Sequence, residues 1–255
     1  MNRLTQNIYL TAIYLFFYIP IAVLIVYSFN NAQYSLLWHG FTTSWYQQLL
    51  TDTDLQTVAM HSLLIGVLAS SIATLLGTIA AVSLYRYQFY GKQLLHGLLF
   101  VLIVSPDIVM GISLLILFST LKITLGFWTL LISHITFCMP FVAVTVYSRV
   151  TGFDKNVFEA AKDLGAVDLT IFTKIIIPML WPAILAGWLL SFTLSLDDVI
   201  ISYFVTGPTY QILPLQIYSM VRLGVNPEIN ALCSVMFAVT LLLVLFLQFA
   251  LRKKQ

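Results

Sequence analysis

The feature that most constrains this chain is a set of six long apolar runs. They are Ile8 to Phe29, His61 to Tyr85, Leu94 to Leu121, Phe127 to Tyr147, Trp181 to Val205 and Ile229 to Leu251. A helix that crosses a hydrocarbon core needs roughly 20 apolar residues, and only helices or closed barrels satisfy every backbone group in lipid. Barrel strands are shorter and alternate in polarity, so runs of this length predict helices. Composition agrees: 60% of the residues are hydrophobic, 9% are charged and mean hydropathy is +0.95. The expectation is an all-α membrane protein of six transmembrane helices, one domain over residues 1–255. The first run follows only Arg3, is too long for a signal-peptide core and lacks a small-x-small cleavage site, so it is expected to be retained.

Orientation follows from the basic residues, because loops rich in Lys and Arg stay cytoplasmic. Arg3, Arg86, Lys92, Arg149, Lys155, Lys162, Lys174, Arg252, Lys253 and Lys254 fall on one side of the expected bundle, Lys122 and Arg222 on the other. Both termini and an insert over about 148–180 are therefore expected in the cytoplasm, with Asn30 to Met60 and Thr206 to Glu228 outside. The second run carries Gly66, Ala69, Ser70, Ala73, Gly77, Ala80 and Ala81, a small-residue face that lets helices approach closely and predicts a central position. Pro20, Pro106 and Pro140 interrupt three other runs and predict kinks.

Several chemistries lack their motifs. Cys138 and Cys233 fall within runs and read as packing residues, and His39, His61, His96 and His134 are scattered without ligand spacing. HExxH, CxxC and GxxxxGK[ST] are all absent, so no metal is expected, and any ATP and magnesium would be handled by another chain. Lipid surrounds such a chain, and no nucleic-acid partner is expected.

The polar insert has a definite local plan. Asp154 or Asn156 can cap a short helix through Glu159, Ala160, Ala161 and Leu164, which a left-handed residue at Gly165 would end. A second helix can begin at Asp168, present Leu169, Phe172, Ile175 and Ile176 on one face, and end before Pro178. On physical grounds alone this segment is either a connector resting on headgroups or a docking element.

Glu159-Ala160-Ala161, Gly165, Ile175 and Ile177-Pro178 resemble, in sequence and spacing, the EAA loop of ABC-importer permeases, with Ile177 standing where Leu is usual. The resemblance implies a type I importer permease of the MetI-like fold. It also implies that Glu159, Ala160, Ala161, Asp163 and Gly165 belong to the surface that couples to a separate ATP-binding subunit. The apolar face around Phe172 is expected to pack beneath this chain's own bundle.

Cargo has to be argued from charge inside the membrane. Asp107, Asp197 and Asp198 lie within runs that contain no Lys or Arg. At a helix centre each costs roughly 2.5 to 3.5 kcal/mol, too much in sum to be incidental. At about 1.5 Å per residue from the cytoplasmic ends, Asp107 lies about 20 Å and Asp197 about 24 Å up, in the outer half. Adjacent helical residues diverge by about 100°, so Asp197 and Asp198 are not expected to share one direction. Asp107 follows Pro106 and also reads as a helix N-terminal residue, and Ser195 as a hydroxyl bonded to its own helix. Carboxylates without basic partners suit a cation, and aromatic faces such as Trp45, Tyr46 and Tyr147 attract ammonium groups.

Wider stretches carry the resemblance further. Ser28-Phe29-Asn30, Gly40 to Tyr46, Ser105 to Leu115, His134 to Arg149, Ser191 to Pro208 and Leu213 to Leu232 are similar to the polyamine branch of that family, the C-type permease subunits of bacterial spermidine/putrescine importers. This implies an inner-membrane subunit working by alternating access. Its implied partners are a related B-type permease, two ATP-binding subunits and a periplasmic polyamine-binding protein docked partly on Gly207 to Pro227. The alternatives are the same machine for another solute, or a self-contained channel or proton-coupled carrier that uses the acids as a relay.

Overall fold

The computed structural model describes residues 3–32, 37–154, 156–223 and 227–252. Lys155, Lys253 and Lys254 of the orientation argument, and residues 224–226 of the expected outer dock, lie outside them. The helices are α1 (Arg3–Tyr27), α2 (Ser44–Thr51), α3 (Thr53–Arg86), α4 (Lys92–Val104), α5 (Asp107–Thr120) and α6 (Phe127–Val150), followed by α7 (Asn156–Asp163) and α8 (Asp168–Ile171). A π-turn at Phe172–Ile176 leads into α9 (Ile177–Asp197), and α10 (Ile200–Val205), α11 (Leu213–Leu223) and α12 (Pro227–Arg252) complete the chain.

Among the described residues, four helical stretches are long and apolar enough to cross a membrane: Thr5–Tyr27, Thr53–Arg86, Phe127–Val150 and Asp168–Asp197. Two of the expected runs differ from a simple crossing. Leu94 to Leu121 is a pair, α4 and α5, bent by 113°. Pro106 has no N–H to donate and disfavours helical backbone at Ser105, so both residues are extended (ψ 133° and 135°) and the helix restarts at Asp107. The run from Trp181 to Val205 is interrupted at Asp198–Val199, and its helix starts earlier than expected. The second helix of the insert does not stop before Pro178; it passes through the π-turn into α9, the wider turn leaving room for the proline ring. The last run is the helix α12, whose described apolar portion, Pro227–Leu242, is shorter than a full crossing.

Two compact units are distinguished, residues 1–57 with 216–255, and residues 58–215. In the first, α12 packs on α1 and α2. The end of α1 is knotted to the segment after it: Asn30 bridges Phe41, Ser28 Oγ and Tyr46 Oη share a hydrogen bond of 2.6 Å, and the rings of Phe29 and Phe41 stack.

In the second unit α3 is central, as its small residues predict. Ala69, Ser70, Ala73 and Ala81 are fully buried. A Cβ at Gly77 would lie 2.8 Å from Val142 on α6, and one at Gly187 on α9 would lie 3.2 Å from the same side chain. Val142 thus sits where three helices meet. The α5 and α10 helices pack side by side, with Gly111 against Ile201 and Phe204. Both of their C-terminal ends reach the connection before α6: Leu121 follows α5, Thr129 Oγ1 donates to the Val205 carbonyl at 2.7 Å, and Gly207 lies against Leu125. The pair therefore runs in parallel.

Candidate transport site

The interruption between α9 and α10 contains neither proline nor glycine; side chains make it. Asp198 takes an extended backbone (φ −69°, ψ 121°) and turns its carboxylate onto the start of α10. Oδ1 accepts from the Ile201 N–H at 3.1 Å, and Oδ2 accepts from the Ser202 N–H at 2.8 Å and the Ser202 hydroxyl at 2.7 Å. This is N-capping chemistry, in which an acid answers the orphan amides and positive end of a helix. From α6, His134 closes the other side. Its Nδ1 pairs with Ser195 Oγ on α9 at 2.7 Å and its Nε2 with Ser202 Oγ on α10 at 2.9 Å, 3.7 Å from Asp198 Oδ2. All four residues are buried.

Two expectations about this region are corrected. Ser195 does not bond its own helix; its hydroxyl faces His134 across the bundle. Asp197 and Asp198 are not neighbours on one continuous helix, because Asp197 ends α9 and Asp198 starts the next turn. They differ sharply in setting: Asp198 is buried with its oxygens occupied, while Asp197 is exposed. His134 carries no signal in the sequence, because an isolated histidine has no ligand spacing. The available signal was Asp198 itself, since Asp is a favoured residue for capping a helix start.

Asp107 is the first residue of α5, directly after Pro106, in accord with its reading as a helix N-terminal acid. It stands one turn before Gly111, on the face that meets α10. Since α5 and α10 run in parallel, Asp107 lies at the same end of the pair as Asp197 and Asp198. All three membrane aspartates therefore lie toward one end of the α5–α10 pair, where two helices restart. Tyr147 does not join them. It lies thirteen residues beyond His134 on α6, about 20 Å away, beside His96 at a cavity of about 790 Å³ that Lys92 and Tyr90 also line. Trp45 belongs to the other unit, where its indole N–H donates to the Asn30 carbonyl at 2.9 Å.

The first helix of the insert and its ending take the expected form. After α7, Gly165 adopts φ +82°, its N–H donates to the Lys162 carbonyl at 2.8 Å, and the Ala166 N–H reaches back to Ala161 at 3.0 Å. That pair of bonds is a Schellman ending, which the positive φ of glycine permits. Glu159, Ala160, Asp163 and Gly165 are exposed, as are Leu164, Val167 and Leu169. Ala161 departs from the expected outward surface: it packs into this chain's core with Ile171 and Ile176, which the partly buried Phe172 and Ile175 join. Leu169 also departs, because two residues along a helix turn it away from Ile171. The insert is tied to α3 by an ion pair between Arg86 and Asp168.

Residues 73–255 match the family described as binding-protein-dependent transport system inner membrane component. The chain belongs to that family. Its members are transport subunits rather than enzymes. This permease is therefore an inner-membrane component of a bacterial ABC importer that works with other transporter subunits and a binding protein. It is 56% identical over 254 residues to the spermidine/putrescine transport system permease protein PotC of Escherichia coli (strain K12), covering 100% of this chain and 96% of that one. It is 44% identical over 227 residues to the putrescine transport system permease protein PotI of the same strain, covering 86% and 80%. Among solved structures it resembles a bacterial ABC transporter involved in the import of the acidic polysaccharide alginate, with a TM-score of 0.76 at 18% identity over 98% of this chain and 95% of that one. It also resembles the MetNI methionine ABC transporter in inward-facing conformations, with a TM-score of 0.63 at 16% identity over 82% and 95%. The fold is that of MetI-like importer permeases.

Proposed function

We propose that this permease carries polyamines, spermidine and putrescine, from a periplasmic binding protein to the cytoplasm by alternating access. The fold alone does not choose the cargo, since one structural neighbour belongs to a transporter of an acidic polysaccharide. The observation that carries the reading is the division of labour between adjacent acids: Asp198 is consumed by helix capping, while Asp197 is left exposed. Asp197 is the carboxylate that meets cargo, and Asp107, toward the same end of the α5–α10 pair, is the second acid on its path. An ammonium about 4 Å from a carboxylate gains about 1 kcal/mol in bulk water and about 4 kcal/mol near a protein surface. Attraction of that size guides a polycation without trapping it. Full-length similarity to permeases named for spermidine and putrescine supports the same substrate class. Trp45, with its N–H committed, and Tyr147 offer aromatic faces to cationic cargo.

In the assembly, a related B-type permease completes the membrane pathway, and two ATP-binding subunits supply ATP and magnesium chemistry. The coupling surface on this chain is Glu159, Ala160, Asp163 and Gly165, and the exposed apolar side chains of Leu164 and Val167 suit burial in a partner. The chain acts as one permease domain of six crossings with both termini in the cytoplasm, as its basic residues indicate.

The test is uptake of labelled spermidine and putrescine into vesicles carrying the permease with its partner subunits and binding protein, against an amino acid and an anionic oligosaccharide. ATP-dependent uptake of the polyamines alone supports the reading, while uptake by this chain without partners overturns it. Within the same assay Gly165→Val, which forces a β-branched residue to φ +82°, is expected to strain the insert by about 1–2 kcal/mol and to reduce co-purification of the ATP-binding subunits.

A further inference from the structure

Three helices meet at the interruption between α9 and α10, and the hydrogen-bond directions there form one chain. The Ser202 hydroxyl donates its proton to Asp198 Oδ2, so toward His134 its oxygen accepts. A neutral imidazole with its proton on Nε2 meets that demand, which leaves Nδ1 to accept from the Ser195 hydroxyl. His134 therefore grips the last turn of α9 through Ser195 and the first turn of α10 through Ser202. Asp197 and Asp198 lie between the two grips. Backbone constraints do not explain this interruption, because neither Asp198 nor Val199 has the fixed dihedral of proline or the freedom of glycine.

We infer that His134 is a positioning residue for transport: it braces the α9–α10 interruption from α6 and thereby sets the direction in which Asp197 meets cargo. His134 touches no substrate; it acts through Asp197. The inference rests on the reading of Asp197 as the cargo carboxylate only for its consequence in uptake. The brace itself is a statement about geometry, and the two are tested separately.

The geometric arm uses the assembled transporter with Cys138→Ala and Cys233→Ala, and with Asp197→Cys as the only thiol of this chain. The rate at which a hydrophilic maleimide modifies that thiol is measured with and without His134→Ala. The brace predicts that the rate changes by about 5-fold or more, as coupled neighbouring sites do, and that His134→Gln, which keeps a donor toward Ser202, lies between. An unchanged rate overturns the brace. Ser195→Ala, which releases only the grip on α9, serves as the second variant if His134→Ala does not assemble, with the same expected direction and the same contrary result.

The functional arm measures KM and kcat for spermidine uptake in His134→Ala, Asp197→Asn and the double variant, each normalised to assembled transporter. Action through Asp197 predicts that both single variants raise KM and that the double variant is no worse than Asp197→Asn alone. Effects that multiply independently, or a loss confined to the amount assembled, overturn the positioning role. If labelling responds to His134→Ala but Asp197→Asn leaves uptake unchanged, the cargo reading fails while the brace stands.

Discussion

Two helix breaks of this permease lie toward one end of the α5–α10 pair, and they are made differently. Between α4 and α5 the cause is covalent: Pro106 lacks a donor, restricts Ser105, and the chain turns by 113°. Between α9 and α10 the cause is a set of side chains, with Asp198 capping α10 while His134 bridges Ser195 and Ser202. The first break is written in one residue and needs nothing from elsewhere. The second depends on α6, more than sixty positions earlier in the sequence. Each leaves an acid at a restart, but Asp107 stands half-buried in the first turn of α5, whereas Asp198 caps α10 with both carboxylate oxygens and leaves Asp197 exposed. A pair of adjacent acids thus separates into a structural and an available member.

The largest effect is expected at Asp198. Asp198→Ala removes three accepted hydrogen bonds and strands two backbone donors and a hydroxyl in a buried place, for an expected cost of about 2–4 kcal/mol. Thermal unfolding of the purified transporter should fall markedly; an unchanged midpoint would mean the second break holds without its cap. A smaller loss is expected where the two restarted helices touch. At Gly111 an added Cβ would lie 2.7 Å from the Phe204 ring and 3.3 Å from the Ile201 backbone, so Gly111→Leu should cost about 1–3 kcal/mol and show in the same melting curves. The smallest effect is expected at the first break. Ser105 and Pro106 have dihedrals open to any residue, and α5 stays packed on α10, so Pro106→Ala should change stability by no more than about 1 kcal/mol. A larger loss there than at Asp198 would invert the comparison.

Legibility in the sequence follows the range of the cause. The insert was readable because Gly165, its positive φ and the helix before it are local, and the small face of α3 because spacing along one helix decides it. Pro106 announced a kink, though not its size. The course of α9 is not legible at either end. Pro178 suggests a stop that the π-turn avoids, and no proline or glycine near Asp197 and Asp198 announces the break between them. His134 carried no signal of its own, since its role depends on which helices pack together. Ala161 shows the same limit: the motif marks it for a partner surface, while tertiary packing turns it into this chain's own core.

Asp197 serves cargo in this reading, and Asp198 serves the fold. Steady-state uptake of labelled spermidine by Asp197→Asn and Asp198→Asn, each divided by the amount of assembled transporter, tests it most directly. Asp197→Asn is expected to assemble normally and to lower uptake per transporter by about 10-fold or more, the effect of losing one charge pair worth about 1.4 kcal/mol or more. Asp198→Asn should chiefly lower the amount assembled. Normal uptake by Asp197→Asn, or a loss per transporter seen only with Asp198→Asn, would contradict the claim.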